Sequence, residues 1–599
     1  MFKSPSFLAW LLCSVFLTGV SFGYYPKWNK DHTEATISWD VSGYYWYLPA
    51  AFIYRDLRDL DFSRALIEKY YPAPGFDQAF AHPSGARVLK YTSGMALMYF
   101  PAFLAAHAHA PLLGYEADGF SRPYQFGIQL WSLLWAILSL WGLRRLLFAY
   151  YGERTVAAVL TLLVLASNYL NYAAIDAAMP HQWLFGWYVW LMVFTRCFYR
   201  RPTIRHAALI GLCIGVMTLA RPTELISALI PLLWGLPGLG RAALAGRLRF
   251  FRSHARCLLV AGAVVAGIGA IQLGYWKYVS GYWIVYSYQD QGFSWLRPHL
   301  LDYAFSYRSG WLIYTPLMLL ALIGIYFFWK KKNEARIALT VYTIIAIYVV
   351  SAWDIWWYGG RAMIQSYPAL AFPLAALLER AGAVRLWRYV LGALLLLFAY
   401  YNLWYTHQLH RGGLVFAFDM TRAYFWKVLG RYTIPVETLR YLDTNDVLRG
   451  ERRDVRLVYA NDFESDTSLA NPNIAPIEGR FSEYIGGEKH FIQACTFPLN
   501  SDDGNWMRVS ALVHTPQKEW DVWQMAVLVA RFTHKGESVR ERAIRIHRLM
   551  ADGETREVWF DIKAPRQPFD SASVFVWNGS GSKTVVVDRV RVEAFHAGR

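Results

Sequence analysis

The chain has 599 residues, too many for one hydrophobic core, so at least two folding units are expected. Hydrophobic residues make up 55% of the sequence, aromatic residues 17% and charged residues 17%, which is typical of a membrane protein and excludes an ordinary soluble enzyme. The formal net charge is +17. Its basic residues fall in short clusters between apolar runs, however, a pattern that sets membrane orientation and excludes a nucleic-acid partner. The five cysteines offer neither a disulfide framework nor a zinc site, since all but Cys495 lie in or beside apolar runs.

The first apolar segment, Phe7 to Tyr24, follows Lys3 and has the length of a signal peptide or a first span. Because no small-residue cleavage site precedes Tyr24, we expect a retained span whose amino end lies inside; a cleaved signal is the alternative. A long outer loop, residues 25–123, is predicted to follow and to carry interfacial helices.

The stretch Thr36 to Pro49 places one carboxylate, Asp40, among five aromatic rings just beyond this span. An interfacial aromatic belt explains the tyrosines and tryptophans. It does not explain the acid, since an ionisable group at the edge of the hydrocarbon costs free energy unless it is paired or solvated. Asp40 is therefore a candidate catalytic or ligand-binding group, and a solvated loop acid is the alternative.

Residues 91–113 are long enough to span but contain two prolines and two histidines, and counting them as a span turns every later basic cluster outward. They are therefore assigned to the outer interface. Ten later spans are then predicted, each about the length that crosses ~30 Å of hydrocarbon: 124–147, 155–173, 183–198, 207–220, 223–237, 257–279, 311–329, 336–352, 362–378 and 389–406.

The five loops assigned to the inside all carry basic clusters, as the positive-inside rule requires. These clusters begin at Arg144, Arg200, Arg241, Lys330 and Arg380. The predicted fold is a polytopic α-helical membrane protein of about eleven spans, with the amino end inside and the carboxyl end outside.

The sequence becomes polar after about residue 411, and period-two alternation over Met507–Val513, Val522–Phe532, Glu557–Ile562 and Val585–Val592 predicts strands. Turn signals such as Asp552-Gly553 separate these runs. We expect a transmembrane domain over residues 1–410, a linker over 411–450 and an all-β sandwich, jelly-roll-like, over 451–599 outside the membrane. Tryptophans of this tail suit sugar stacking, or alternatively the core of a small sandwich.

With this topology, polar residues distant in sequence gather on the outer face. They are Asp40, Lys90, Asp176, His181, Arg221, Glu224, the loop from Tyr282 to Arg308, and Trp353 to Arg361. A transporter would place such groups near the bilayer centre.

These motifs resemble the GT-C superfamily of polytopic glycosyltransferases, in particular the bacterial protein-mannosyltransferase, lipid A aminoarabinose transferase and rhizobial lipopolysaccharide glycosyltransferase group. The resemblance covers roughly residues 1–410. It is carried by Asp40 beside aromatics, Lys90 before an interfacial helix, Asp176 in the second outer loop, the turn Leu219 to Thr223, and Trp356 to Arg361 before a late span. The first loop lacks the paired acids of some members, because Ser38 and Val41 flank Asp40 at the positions where a second acid would stand.

The resemblance implies inverting transfer of a sugar from a polyprenyl-phosphate donor to the hydroxyl of a glycolipid, polysaccharide or protein, at the outer face of a bacterial inner membrane. Asp40 would be the general base and Asp176 the second acid. Cations would stabilise the departing phosphate: Arg361, Arg221, Lys90, Arg297 and Arg308. Other residues would contact substrate: Tyr44, Tyr45, His181, Glu224, His299, Trp356 and Trp357. No cofactor is expected beyond a possible divalent metal, whose ligands the sequence does not identify.

Plainer interpretations remain open for several of these residues. Asp176 suits a helix start; Arg221 and Glu224 suit a helical pair; Lys90 and Arg308 suit snorkelling cations; Trp356 and Trp357 suit an interfacial belt. Two other functions also remain: a flippase of lipid-linked saccharides, and a non-catalytic glycan-binding assembly protein.

Overall fold

The computed structural model describes residues 4–289, 291–353, 358–465, 474–579, 581 and 583–598. It divides into two compact units, Met1–Arg411 and Gly412–Arg599, so that residues 412–450 group with the second unit.

The first unit is helical. Its α-helices are, in chain order, α1 (Pro5–Gly19), α2 (Trp39–Tyr45), α3 (Tyr47–Phe52), α4 (Ser63–Tyr70), α5 (Gly94–His109), α6 (Arg122–Phe148), α7 (Glu153–Leu165), α8 (Pro180–Arg200), α9 (Ile204–Ala220), α10 (Leu229–Leu233), α11 (Arg241–Ser253), α12 (Ala255–Ser280), α13 (Leu300–Phe305), α14 (Trp311–Tyr314), α15 (Leu317–Lys330), α16 (Arg336–Ala352), α17 (Tyr367–Gly382) and α18 (Arg385–His407).

Shorter elements connect these helices near the outer-loop motifs. A two-stranded antiparallel hairpin, β1 (Ala79–Ala81) with β2 (Arg87–Leu89), lies in the long loop after α1. A π-helical turn covers Asn171–Ile175, and 3-10 helices cover Pro222–Ala228 and Tyr358–Ser366.

Four helical stretches among the described residues are long and apolar enough to cross a membrane: Pro5–Asn29, Arg122–Phe148, Ala255–Ser280 and Arg385–Gly412. The protein is therefore a multi-pass membrane protein. The predicted count of about eleven spans is not confirmed. Shorter apolar helices, such as Ile204–Ala220 and Arg336–Ala352, occupy several of the other predicted spans.

Segment 91–113, which the sequence assigns to the interface, contains one helix, α5. Its start packs closely against the end of α9, since a Cβ on Gly94 would come within 2.3 Å of the Ala220 backbone nitrogen. The hydroxyl of Thr92 donates to the Ala220 carbonyl across 3.1 Å. These contacts bring the loop that carries Lys90 and Tyr91 beside the turn that carries Arg221.

The second unit contains one α-helix and two antiparallel sheets. The helix is α19 (Arg422–Val428), and the strands are β3 (Arg452–Asn461), β4 (Glu483–Ile485), β5 (Phe491–Pro498), β6 (Trp506–Thr515), β7 (Val527–His534), β8 (Glu537–Arg545), β9 (Glu554–Lys563), β10 (Ser571–Trp577) and β11 (Val585–Ala597). One sheet has the order β5-β10-β7-β8, and the other has the order β3-β11-β6-β9 with β4 also paired to β11.

The core of this unit contains alternate residues of both sheets. From the four-stranded sheet come Leu528, Ala530 and Phe532 of β7, and from the other come Val509 and Val513 of β6 among others. Alternation of this kind is what a strand with one buried face produces. The C-terminal β-sheet domain predicted from the sequence is therefore present.

In strand β11 the alternation of buried and exposed residues is interrupted, which makes the strand hard to recognise from the sequence. Val585 and Val587 are buried at odd positions, but Val592 and Ala594 are buried at even ones. The register with β6 shifts between Asp588 and Arg591, so a bulge moves the apolar face by one residue. Read as one alternating run, this strand looks irregular.

Candidate active site

Asp40 lies in the first turn of the short helix α2. Ser38 precedes the helix in an extended conformation, and Trp39 follows it with a φ of 47°, in the left-handed region that a bulky residue seldom adopts. The Trp39 N–H donates to the Pro72 carbonyl across 2.9 Å, which holds this conformation. Strained backbone of this kind often occurs at functional sites, and here it directly precedes the acid.

Two side chains bind the Asp40 carboxylate, one at each oxygen. Arg361 Nη2 donates to Oδ2 across 2.6 Å, and the Tyr91 hydroxyl donates to Oδ1 across 2.9 Å. The side chains of Asp40 and Arg361 are 29% and 25% exposed, so the pair is sheltered but still accessible. This contact could not be predicted from local sequence, because 321 positions separate the two residues.

A glycine and a tyrosine stack place Tyr91 beside Asp40. Tyr44, one helical turn after Asp40, stacks on Tyr91 with ring centroids 4.3 Å apart. Gly43 makes this approach possible, because a Cβ there would lie 2.5 Å from the Tyr91 ring. Burial, followed by the charge of Asp40, raises the pKa of the Tyr91 hydroxyl well above its usual value. Tyr91 therefore remains a neutral donor to Asp40.

Arg361 lies in the 3-10 helix Tyr358–Ser366, directly after a tight turn. Gly360 has a φ of +60°, and a Cβ there would come within 2.6 Å of the Trp311 Cβ. Its carbonyl accepts a bond of 2.9 Å from the Tyr303 hydroxyl, and its N–H donates to the Ser309 carbonyl. The turn is thus fixed against α13 and α14, and it holds Arg361 in place.

Arg361 also bonds the side chain of Tyr172, which lies in the π-helical turn before Asp176. Burial alone would lower the pKa of Arg361, but the neighbouring Asp40 carboxylate and then the phenol groups of Tyr172 and Tyr91 raise it. Arg361 is therefore a permanent cation at the centre of the site.

A second polar chain includes Arg221 and lies next to the first. Arg221 Nη1 is 3.5 Å from His181 Nδ1, which is 3.3 Å from Gln365 Oε1. The Gln365 amide donates to Glu224 Oε1 across 2.9 Å, and the Tyr188 hydroxyl donates to the other oxygen of Glu224 across 2.6 Å. Gln365 lies one turn beyond Arg361, so the two chains share the same 3-10 helix.

The Arg221 backbone is extended because Pro222 follows it, and this ends α9 at Ala220. The charge of Arg221 acts on Tyr44 and on Tyr288, which is hydrogen-bonded to Tyr44. Arg221 is therefore a second cation near the Asp40 group. His181 and Glu224 are almost completely buried and bond Arg221 and Gln365, and their role as substrate contacts stays a prediction.

Asp176 has a different environment. Lys27 Nζ donates to its Oδ1 across 2.9 Å, and Asn171 Nδ2 donates to its Oδ2 across 2.9 Å. The Asn171 side chain is bonded in turn to His410. Burial would raise the pKa of Asp176, but the charges of Lys27 and His410 and these hydrogen bonds lower it to about 2. Asp176 is thus a firmly ionised acid whose two oxygens both have partners.

These groups do not fit a divalent cation. Both oxygens of Asp40 are engaged by a cation and a phenol, and those of Asp176 by an ammonium and an amide. A hard metal ion needs several oxygen ligands and is repelled by adjacent cations. Among the described residues, no group of three or more His, Cys, Asp or Glu side chains could hold a metal.

The remaining predicted cations are Lys90, Arg297 and Arg308. The Lys90 ammonium is 6.0 Å from the centre of the Tyr91 ring and 5.9 Å from that of Tyr288, at the edge of the site. Arg297 and Arg308 are exposed in the loop between α12 and α14. His299 is half-buried there, and its backbone N–H donates to the Ser351 carbonyl across 2.8 Å.

Of the predicted substrate contacts, Tyr45 lies in the core, and two others lie outside the described residues. Tyr45 is completely buried, and its hydroxyl donates to the Gly119 carbonyl across 2.6 Å. It is a core residue because its neighbour Tyr44 takes the face of α2 that points to Tyr91. Trp356 and Trp357 lie outside the part of the chain that the structure describes.

The structure adds four residues that sequence reasoning missed: Tyr91, Tyr172, Tyr288 and Lys27. Tyr91 directly follows Lys90, and Lys27 ends the first apolar segment, so position in the sequence gave a weak signal for both. Tyr172 and Tyr288 are two of 40 tyrosines, and nothing in the sequence separates them from the others.

No protein-family model and no curated protein matches the chain. A crystal structure of an Archaeoglobus fulgidus oligosaccharyltransferase in the apo form matches with 13% identity and a TM-score of 0.43, covering 74% of this chain and 59% of that one. The cryo-EM structure of arabinosyltransferase EmbB from Mycobacterium smegmatis matches with 11% identity and a TM-score of 0.34, covering 84% of this chain and 59% of that one. This chain thus spans less than two thirds of either.

Proposed function

We propose that the protein is an integral-membrane glycosyltransferase that moves a sugar from a polyprenyl-phosphate donor to an acceptor hydroxyl, with inversion, at the outer face of a bacterial inner membrane. The observation that carries the proposal is the Asp40 carboxylate, bound by Arg361 at 2.6 Å and by Tyr91 at 2.9 Å in a multi-pass membrane protein. In this pair Asp40 can accept the proton of an acceptor hydroxyl, and Arg361 can bind the phosphate of a donor.

In the proposed step, the acceptor oxygen attacks the anomeric carbon of the donor while the bond from that carbon to the phosphate oxygen breaks. The acceptor proton passes to Asp40, and the bonding electron pair leaves with the polyprenyl phosphate. A positioned base of this kind contributes roughly 10²–10⁴-fold to a rate. Since the attack comes from the face opposite the leaving group, the anomeric configuration inverts.

Arg361 and Arg221 stabilise the charge that develops on the leaving phosphate. A guanidinium has five N–H donors, so Arg361 has enough donors to hold Asp40, Tyr172 and a phosphate oxygen together. Both arginines offer a planar fork of donors that matches the oxygens of a phosphate. Because they are already fixed by Gly360 and Pro222, their reorganisation costs little during the reaction.

Asp176 is a positioning residue in this scheme. Its two oxygens are occupied by Lys27 and Asn171, so the end of the first apolar helix is tied to the turn that carries Tyr172. Tyr172 in turn bonds Arg361. The acid that sequence reasoning assigned to the substrate thus supports the phosphate-binding arginine indirectly.

Lys90 completes the proposed donor site. Its ammonium faces the rings of Tyr91 and Tyr288 and lies at the edge of the Asp40 group. There it would meet the outer phosphate oxygens or the headgroup region of the lipid carrier, at which a compact ammonium serves as a point charge.

The experiment is a transfer assay with full-length protein in lipid nanodiscs, using radiolabelled sugars linked to polyprenyl phosphate and an envelope extract as acceptor. Nucleotide sugars serve as alternative donors, and Asp40→Asn protein is the matched control. We expect label transfer from polyprenyl phosphate only, with loss in the control. Transfer from a nucleotide sugar would contradict the proposed donor, and full activity of Asp40→Asn would remove Asp40 from the mechanism.

A further inference from the structure

The second unit carries exposed aromatic residues that its core does not use. Trp520 and Trp523 are each 75% exposed, and Trp577 is 50% exposed. All three lie at one end of the four-stranded sheet, since Trp577 at the end of β10 pairs with Val527 at the start of β7, just after the loop that carries the other two. Leaving three indoles in water costs hydrophobic free energy unless a ligand covers them.

The outer face of this sheet forms a groove beside the indoles. Because Leu528, Ala530 and Phe532 of β7 point into the core, the alternate residues Val527, Val529 and Arg531 point outward. The groove has a volume of about 660 Å³, within the usual range of ligand sites. Its lining also includes Phe575 and Trp577 of β10, Glu541, Ala543 and Arg545 of β8, and Asp443.

The register of the sheet orders these residues into rows across the strands. Trp577, Val527 and Arg545 form one row, and Phe575, Val529 and Ala543 form the next. In the third row Arg531 pairs with Glu541 through a bond of 2.7 Å. The floor is therefore aromatic and apolar, and fixed hydrogen-bonding groups lie along its sides.

The indoles are held in place before any ligand binds. Gly579 lets the turn after β10 pack against Trp577, since a Cβ there would come within 2.3 Å of the indole Cζ2. Glu519 accepts the backbone N–H of Trp520, and Asp521 accepts that of Trp523. Arg545 Nε donates to the Val522 carbonyl across 2.8 Å, which joins the indole loop to the groove.

We propose that this surface, the groove together with Trp520, Trp523 and Trp577, binds a neutral oligosaccharide. Indole rings stack on the apolar faces of sugars, and the carboxylate and guanidinium pairs bind sugar hydroxyls bidentately. Four acidic side chains near the groove, Glu519, Asp521, Glu541 and Asp443, are balanced by four basic ones, Lys518, Arg531, Arg542 and Arg545. This balance disfavours an anionic ligand, and the acid between the two loop indoles disfavours an anionic membrane surface.

The test measures binding without transfer and is therefore independent of the proposed catalytic function. Full-length Asp40→Asn protein in nanodiscs is applied to an array of neutral hexasaccharides built from glucose, mannose, galactose, xylose or arabinose. We expect binding of at least one of them at 1 mM or below, weakened at least about tenfold by Trp577→Ala and by the double change Trp520→Ala with Trp523→Ala.

Trp426→Ala is the matched control, because this tryptophan is 61% exposed on α19 and does not line the groove. It should leave binding unchanged. Absence of binding to every hexasaccharide would contradict the proposal. Equal binding by the groove variants and the parent would contradict it as well, since the indoles would then serve a lipid surface or another partner. Near-ultraviolet circular dichroism of each variant separates lost binding from lost folding.

Discussion

The first unit contains two acid–cation pairs that look alike by distance and exposure. Asp40 binds Arg361 at 2.6 Å with 29% of its side chain exposed, and Asp176 binds Lys27 at 2.9 Å with 24% exposed. Their other partners differ. Asp40 has a tyrosine hydroxyl on its second oxygen, whereas Asp176 has an amide that is itself bonded to a histidine near the end of α18.

This difference assigns separate roles to the two acids. Arg361 is joined to a phenol, lies on the 3-10 helix of Gln365 and is near Arg221, so its surroundings carry the charges that the proposed departure of a phosphate needs. Lys27 joins the end of the first apolar helix to the turn before α8. The ionised state of an acid is therefore not enough to assign it to catalysis. The neighbours of its partner decide the role.

The largest expected effect comes from exchanging each acid in turn for its amide. Asp40→Asn should reduce turnover roughly 10³-fold, because a positioned base is lost while the shape of the side chain is kept. Asp176→Asn should reduce it about tenfold or less, since the substrate does not meet this acid. Initial rates of sugar transfer in nanodiscs measure both. Equal losses in the two variants would break the distinction between the pairs.

Arg361→Ala should follow, with a loss in turnover of roughly 10²–10³-fold, because it removes a fixed cation from the leaving phosphate. Arg361→Lys is the control that keeps the charge but not the geometry of the fork, and we expect it to recover only part of the rate. The measurement is kcat together with the KM of the donor. Full activity in the Lys variant would mean that Arg361 acts as a point charge only.

Loss of the Asp176–Lys27 pair should change the stability of the protein more than its turnover. Asp176→Asn should lower the free energy of unfolding by about 1–3 kcal/mol, less than for a fully buried pair because the group is partly exposed. The folded pKa of about 2 lies below the ordinary value for an aspartate. Its contribution is therefore present above about pH 4 and is lost as the pH falls through the folded pKa.

Thermal unfolding of parent and variant at pH 6 and pH 3 measures this contribution. The difference in melting temperature should shrink at the lower pH. A difference that is constant with pH would show that the carboxylate charge is not what stabilises the fold.

Tyr91→Phe should reduce turnover less than Asp40→Asn, because it removes one hydrogen bond to Asp40 and leaves the stack on Tyr44 intact. A hydrogen bond to a charged group contributes about 1.5–3 kcal/mol, so turnover should fall roughly 10- to 100-fold. Transfer rates at saturating donor measure it. An unchanged rate would indicate that Tyr91 does not orient the base.

Much of the architecture could be predicted from the sequence because it depends on local patterns. The four helices that are long enough to span coincide with four predicted spans, and Asp552-Gly553 and similar turns separated the predicted strands. The predicted number of about eleven spans is not confirmed, because several of the other apolar helices have 17 residues or fewer. Strands β3, β4, β5, β8 and β10 lie outside the four predicted runs. Of these, β3, β5 and β8 are edge strands, and the exposed face of a sheet edge has mixed polarity.

The candidate site was predicted as a set of residue types, not as contacts. Asp40, Arg361 and Arg221 stood out because charges are rare beside apolar segments. The bonds that join Asp40 to Tyr91 and Arg361 depend on tertiary packing, through Gly43 and Gly360, and have no local signal. The same packing buries both Tyr44 and Tyr45, and it places only the ring of Tyr44 against Tyr91, whereas Tyr45 bonds the Gly119 carbonyl.

The most direct test is the anomeric configuration of the first transfer product, measured by proton NMR on material collected before the donor is exhausted. In the proposed mechanism Asp40 acts as a base and Asp176 as a positioning residue, so the sugar is transferred in a single displacement. The product should carry the configuration opposite to that of the polyprenyl-phosphate sugar. A retained configuration would require a covalent or ion-pair intermediate and would contradict the account.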